Sequence, residues 1–417
     1  MSRKKEASNH RLSVSKKQIQ RFSVIVVGLV VVASMAIVGY QSLRPSSAAT
    51  SAQGPITRQG TKLYLNGQQW KFAGVNADKW FGCWGGSEVP SDAQLDRYFR
   101  ELNPHSVTRI WPYHGAADIP MMDRIVTYAE KYQQYLAPAM FDGNPNQCGT
   151  QVINKGNPQV NIDHMRTIVS RYSKTAPSTQ RPTNAIAFWE ASNEVCGADS
   201  VNWLQRMADA FKSMDPNTLV ASGSMPQYCF GSQSAYEAAH GGKMDLISIH
   251  EYDANTGISS WGGPAATAAR NLNKVWYAGE DGFCCNGGDT GSDSGNASKL
   301  DAEWKAYIGA PESAGMIYWA LTIASGNVNT HNMDLGDAMW QKASSFRHAY
   351  HGGTFTGPGP SPTPTPPSPT PTPTPPPSPP STSGSVNDST FQYSGTWATS
   401  ANAGAYNGDD HYSRTAG

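Results

Sequence analysis

The sequence predicts an α/β fold, a (β/α)8 TIM barrel, and three observations carry that prediction. Eight short apolar or aromatic segments end in polar residues and alternate with amphipathic helical stretches, which is the pattern of a parallel sheet. They fall within residues 54–353 of the 417, a span that suits one barrel of about 250 residues or somewhat more. The first strand is not followed by the Gly-rich phosphate loop of a doubly wound, dinucleotide-binding sheet.

The strands are expected at Phe72–Asn76, Val107–Pro112, Tyr135–Phe141, Ile186–Glu194, Leu219–Ser224, Leu246–Tyr252, Val275–Glu280 and Gly315–Leu321. Between them the spacing predicts helices. Ser91–Asn103 puts Leu95, Tyr98, Phe99 and Leu102 on one face, and Ser91 with Gln94 makes a capping box. Asn161–Lys174 aligns Ile162, Met165, Ile168, Val169 and Tyr172 in the same way. Ser200–Met214 aligns Trp203, Leu204, Met207, Phe211 and Met214, and Ser298–Ala310 aligns Trp304, Tyr307 and Ile308.

The flanks read differently. Residues 1–53 open with Arg3, Lys4, Lys5, Arg11, Lys16, Lys17 and Arg21, followed by the uncharged run Phe22–Tyr40 and then small residues from Ser46 to Ala52. That is the layout of an export signal. The apolar run is also nearly a membrane span in length, so an uncleaved anchor is the alternative. Both place the rest of the chain outside the cytoplasm. Residues 354–385 are dominated by Pro, Thr and Ser and hold 14 of the 29 prolines, the composition of an extended, semi-rigid linker. Residues 386–417 contain the alternating run Phe391–Trp397 but are too few for a stable lone domain. They resemble the first strands of a β-sandwich carbohydrate-binding module, with a disordered tail as the alternative.

Composition narrows the function. Lys+Arg and Asp+Glu are both 32, so nothing favours a polyanion such as nucleic acid. The 12 Trp and 18 Tyr serve equally as core or as stacking surfaces for the C–H faces of sugars. Cys83, Cys148, Cys196, Cys229, Cys284 and Cys285 are even in number, which fits disulfides in an oxidising compartment. None has the two-to-four-residue spacing of a structural zinc site, and no metal or other cofactor is expected.

In a (β/α)8 barrel the active site lies at the C-terminal ends of the strands. Those ends carry Asn76, Arg109 with Trp111, Phe141 with Asp142, Asn193-Glu194, Ser224, His250 with Tyr252, Glu280, and Trp319. The motifs Phe72-Ala73-Gly74-Val75-Asn76, Thr108-Arg109-Ile110, Trp189-Glu190-Ala191-Ser192-Asn193-Glu194, His250-Glu251-Tyr252, Tyr277-Ala278-Gly279-Glu280 and Tyr318-Trp319 follow in that order. With these residues the chain resembles clan A glycoside hydrolases, and family 5 in particular, over nearly all of residues 60–350.

The resemblance implies a retaining glycosidase with Glu194 as acid/base and Glu280 as nucleophile. Asn193 is then expected on the sugar 2-hydroxyl, His250 beside Glu194, and Trp319 under the ring at the cleaved unit. Arg109 and Tyr252 are expected to hold Glu280 ionised while a more enclosed Glu194 keeps its proton. Glu190, at the same strand parity as Glu194, is expected below the site as a buried partner of Arg109. Cys196 and Cys229 follow neighbouring strands and are the expected disulfide. Val195 stands where family 5 usually has Pro, and Met140-Phe141-Asp142-Gly143 lacks the His that many members carry on the third strand. The Trp-Glu-x-x-Asn-Glu motif followed closely by Cys196 leans towards the β-mannanase branch. The implied partner is a β-linked polysaccharide or oligosaccharide, mannan or glucan, acted on by a monomer. A non-catalytic carbohydrate-binding barrel and a transglycosylase are the other functions this residue set allows.

Overall fold

A computed structural model describes residues 53–82, 88–102, 104–143, 153–252, 258, 262–283, 289–323 and 332–345, together with two short strands at 397–400 and 410–413. The chain divides into two compact units, Met1–Phe355 and Thr356–Gly417.

The first unit begins with a three-stranded antiparallel sheet, β1 (Ile56–Gln59), β2 (Lys62–Leu65) and β3 (Gln68–Trp70). The eight expected strands follow as β4 (Phe72–Asn76), β5 (Val107–Ile110), β6 (Tyr135–Pro138), β7 (Phe188–Glu190), β8 (Leu219–Ala221), β9 (Leu246–Glu251), β10 (Val275–Asp281) and β11 (Ser313–Tyr318). They pair in parallel in the order β6-β5-β4-β11-β10-β9-β8-β7. Bridges from Leu136 to Ile186, Ala139 to Glu190 and Asp142 to Asn193 join β6 to β7 and close the ring. The barrel expected from strand–helix alternation is therefore present.

Helices surround it: α1 (Asp92–Glu101), α2 (Ile119–Lys131), α3 (Pro158–Tyr172), α4 (Ser200–Met214), α5 (Gln233–Ala239), α6 (Gly262–Leu272), α7 (Asp293–Gly309) and α8 (Ala338–Ser345). The capping box at Ser91 and Gln94 forms as its sequence requires. α3 starts earlier than its apolar stripe, because Pro158 occupies the first turn, where a missing N–H costs nothing. α7 likewise starts earlier, at a Ser292 side chain that accepts from the Gly295 amide. Two short strands, β12 (Leu321–Thr322) and β13 (Met333–Asp334), pair beyond β11.

The core is layered. At the lower end Trp70 from β3 packs on Phe72 with ring centroids 5.1 Å apart, in one cluster with Ile56, Leu63 and Leu65. Within the barrel the rings of Phe72, Phe188 and Tyr277 meet at 5.1–6.0 Å. Above this apolar layer, Arg109 and Glu190 point inward with no solvent exposure. The remaining apolar residues of the helices pack on the outer face of the strands.

The described part of the second unit is an antiparallel pair, β14 (Trp397–Ser400) with β15 (Asp410–Ser413), Trp397 opposite Ser413. Among the described residues no helix is long and apolar enough to cross a membrane. The Phe22–Tyr40 run, the Pro-rich stretch and Cys83, Cys148, Cys284 and Cys285 lie outside the described residues.

Candidate active site

Six of the eight barrel strands bring polar side chains to one mouth. Arg109 of β5 is its hub. Its Nε donates to Glu190 Oε2 at 2.5 Å, Nη1 to Glu280 Oε1 at 2.7 Å and to Asn76 Oδ1 at 3.0 Å, and Nη2 to Asn193 Oδ1 at 3.1 Å. Asn76, on β4, passes its own amide protons to the carbonyls of Gly279 and Tyr318. One guanidinium thus ties the ends of β4, β5, β7 and β10 together. Glu190 is the buried Arg109 partner expected from its strand position.

Glu280 reaches the mouth through a local irregularity. In β9, Ile249 pairs with Ala278, yet the next residue, His250, pairs with Glu280. Gly279 is the extra residue of a bulge, which turns Glu280 inward instead of to the helix side. Glycine is required here: a Cβ would stand 2.5 Å from Ser248 Oγ and 3.1 Å from His250 Nε2. The bulge sets Glu280 beside His250 Nδ1 at 3.4 Å and under the Tyr252 hydroxyl, which donates to Oε2 at 2.5 Å.

Glu194 sits differently. The regular strand ends at Glu190, and Glu194 adopts a left-handed backbone with φ 53°. Few non-glycine residues do so without a compensating constraint. The constraint is backbone packing: the Glu194 amide donates to the Gly223 carbonyl at 2.8 Å, and Gly143 presses so close that a Cβ would lie 2.5 Å from the Glu194 carbonyl. Strand parity therefore does not carry from Glu190 to Glu194. Its carboxylate lies at the rim, 26% exposed, with Oε1 3.4 Å from His250 Nδ1.

The expected order of enclosure is reversed. Glu280 is the buried carboxyl, at 3% exposure, and Glu194 the more open one. Burial pushes Glu280 above its ordinary range, against the charges of His250 and Arg109 and the Tyr252 hydrogen bond. Burial acts to raise Glu194 as well, but the His250 hydrogen bond and the charges of His250 and Arg109 outweigh it, and the group is lowered. The reason is position: β10 keeps Glu280 down in the barrel, whereas the left-handed turn lifts Glu194 to the rim.

Ligand atoms of Glu194, His250 and Glu280 lie within 4.8 Å of one another, the one such group among the described residues that could hold a metal ion. Trp319 follows β11, half-buried, and stacks on Trp111 at 5.1 Å; its peptide bond to Ala320 is cis. Trp111 is 1% exposed and lies between Trp319 and Tyr113, with Arg109 at 5.2 Å from its ring, so it supports the floor from below. Asn193 donates to Asp142 Oδ1 at 3.2 Å while accepting from Arg109. Sequence reasoning did not assign site roles to Asp142, Tyr277 or Asp78. Asp142 ends the apolar run of the third barrel strand, a signal that was available, whereas Tyr277 lies inside the apolar start of β10 and gives none. Asp78, buried behind Ala77, carries no such pattern. The Cys196–Cys229 disulfide forms as expected, Cα atoms 5.5 Å apart, and joins the loops after β7 and β8.

Fold and site together resemble the clan A glycoside hydrolases, and family 5 within them. The chain is 25% identical over 270 residues, 54% of its length, to a probable mannan endo-1,4-beta-mannosidase F of Neosartorya fischeri. It is 24% identical, again over 54% of its length, to mannan endo-1,4-beta-mannosidase F of Aspergillus fumigatus. It spans 59% and 62% of those curated relatives. The fold matches the crystal structure of an endo-1,4-beta-mannanase from Rhizomucor miehei with a TM-score of 0.51, at 14% identity, over 70% of this chain and 98% of that one. No family model matches.

Proposed function

We propose that the chain is a secreted, retaining β-glycosidase that hydrolyses β-linked polysaccharide, of the endo-β-1,4-mannanase type. One observation carries the chemistry: a carboxylate oxygen of Glu194 lies within 4.8 Å of one of Glu280 across an open mouth. Retaining enzymes hold their two carboxyl groups about 5–5.5 Å apart, whereas inverting ones need roughly 6.5–9.5 Å to admit a water between them. The names of the curated relatives support mannan as the substrate over β-glucans.

In this reading Glu280 attacks the anomeric carbon, directed by the Arg109 and Tyr252 hydrogen bonds to its two oxygens. Glu194 gives its proton to the leaving oxygen; as an anion it then takes one from a water, whose oxygen attacks the anomeric carbon and breaks its bond to Glu280. A sugar seated on Trp319 covers the rim and removes water from Glu194, which raises it towards the acid form. His250, within 3.4 Å of both carboxylates, senses the negative charge as it passes from Glu280 to Glu194. Residues 1–53 act as signal or anchor, 354–385 as a spacer, and 386–417 as the start of a carbohydrate-binding module.

Incubation with galactomannan, glucomannan, carboxymethylcellulose, xylan and β-1,3-glucan, followed by product sizing, tests the substrate class. The expected result is oligosaccharides from the mannans, with the β-anomer seen first by proton NMR. No cleavage of any β-linked glycan, or the α-anomer first, contradicts it.

A further inference from the structure

Glu190 has no route to a substrate. It is fully buried, its Oε2 is held by Arg109 Nε at 2.5 Å, and its Oε1 accepts from the Tyr277 hydroxyl. Yet it shares with Glu280 the one guanidinium that ties the mouth together, and Arg109 is itself fully buried. We propose that Glu190 is a positioning residue for the nucleophile: it divides the charge of Arg109 and fixes the guanidinium plane, so that Glu280 is oriented without being neutralised.

The geometry requires both parts. A guanidinium is planar, and its N–H groups leave at fixed angles. With Nε anchored on Glu190, Nη1 can meet only Glu280 and Asn76, and Nη2 only Asn193. Glu190 is anchored in turn by Tyr277, whose ring is wedged between Phe72 and Phe188. The nucleophile is thus registered to the apolar layer of the barrel through Tyr277, Glu190 and Arg109. A carboxylate paired alone with a buried guanidinium is a weak base and a weak nucleophile. Two carboxylates sharing one guanidinium keep a net negative charge, and Glu280 retains part of it. The other groups facing Glu280 are His250 from β9 and Tyr252 just after it, Glu194 from the loop after β7, and Asp78 and Tyr113 near the ends of β4 and β5. Of these and Arg109, only Arg109 is a permanent cation.

The inference rests on Glu280 being the nucleophile, and its test reads Glu280 directly in the full-length chain. The side-chain carbon of Glu280 is followed by pH titration in carbon-13-glutamate-labelled protein, assigned by its loss in E280Q. In E190Q the cation is left to Glu280 alone, so its midpoint is expected to fall by about one pH unit. In Y277F, Glu190 loses its second donor and draws more strongly on Arg109, so the Glu280 midpoint is expected to rise. In parallel, E190Q is expected to lower kcat roughly tenfold with KM nearly unchanged, as loss of an interaction made in the transition state does. An unchanged or higher midpoint in E190Q overturns the proposal. Should E190Q not fold, Y277F decides: a rise supports it, and a fall or no change overturns it. A wild-type chain that cleaves no glycan defeats the functional reading, while the titration still decides this one.

Discussion

Glu194 and Glu280 carry the same functional group, and their surroundings separate them. Burial raises Glu280, while His250 and Arg109 hold Glu194 down at the open rim. E280Q is expected to abolish hydrolysis while leaving sugar binding intact, which calorimetry with an oligosaccharide measures. E194A is expected to lower turnover by about 10²–10⁴ on substrates with poor leaving groups. The same variant should lose far less with an activated aryl glycoside, since that leaving group needs no proton. Asp78 gives a test independent of activity. Burial pushes it from 3.8 to about 7. The folded state therefore binds this proton more tightly than the unfolded one. Its contribution to stability is full below about pH 4 and is lost as pH rises to about 7. Asn stands in for the protonated acid and does not titrate. D78N is expected to match the wild type at pH 4 and exceed it at pH 8, by on the order of 4 kcal/mol in denaturant unfolding. Equal gains at both pH values would contradict the assignment.

The elements explain which parts of this site can be read without coordinates. Apolar runs that end in Asn76, Arg109, Asn193, His250, Glu280 and Trp319 mark strand ends directly, so the barrel and the residues at its mouth were legible. The capping box at Ser91 and the stripe of α4 were legible for the same local reason. The bulge at Gly279 was not, because it exists only as a register shift against β9. Nor was the left-handed backbone of Glu194, which is set by Gly143 and Gly223 on two other strands' loops. Those two features decide which carboxyl is buried, and so the expected order came out reversed. The Cys196–Cys229 disulfide belongs to this scale, because it ties the loop carrying Glu194 to the loop after β8 across 33 residues. Closing a loop of that length contributes roughly 3–4 kcal/mol. The double variant C196S/C229S is expected to melt at lower temperature, and to lose kcat as Glu194 is released. Unchanged melting and turnover would remove the disulfide from the account.

For the first compact unit as a whole, the N-terminal sheet is the part that sequence reading passed over. Its three strands are three or four residues long and half polar, too short for periodicity to register. It places Ile56, Leu63, Leu65 and Trp70 against the lower apolar layer, all at most 5% exposed. At about 1.5–3 kcal/mol for each side chain, their burial is comparable with the whole stability of a typical domain. A chain beginning at Lys71 is expected not to fold, as judged by loss of near-ultraviolet circular dichroism. A truncated chain with native dichroism would show that the barrel closes without its lower sheet. The layers also place the chemistry: a rigid aromatic floor, a buried charged layer above it, and an open mouth with two carboxylates. From that mouth Glu280 attacks the sugar in the proposed reaction. Trapping the full-length chain with a 2-deoxy-2-fluoro-mannoside bearing a good leaving group, then mapping the labelled peptide by mass spectrometry, tests it most directly. One sugar on Glu280 is the expected result. A label on another residue, or none after inactivation of hydrolysis, would contradict it.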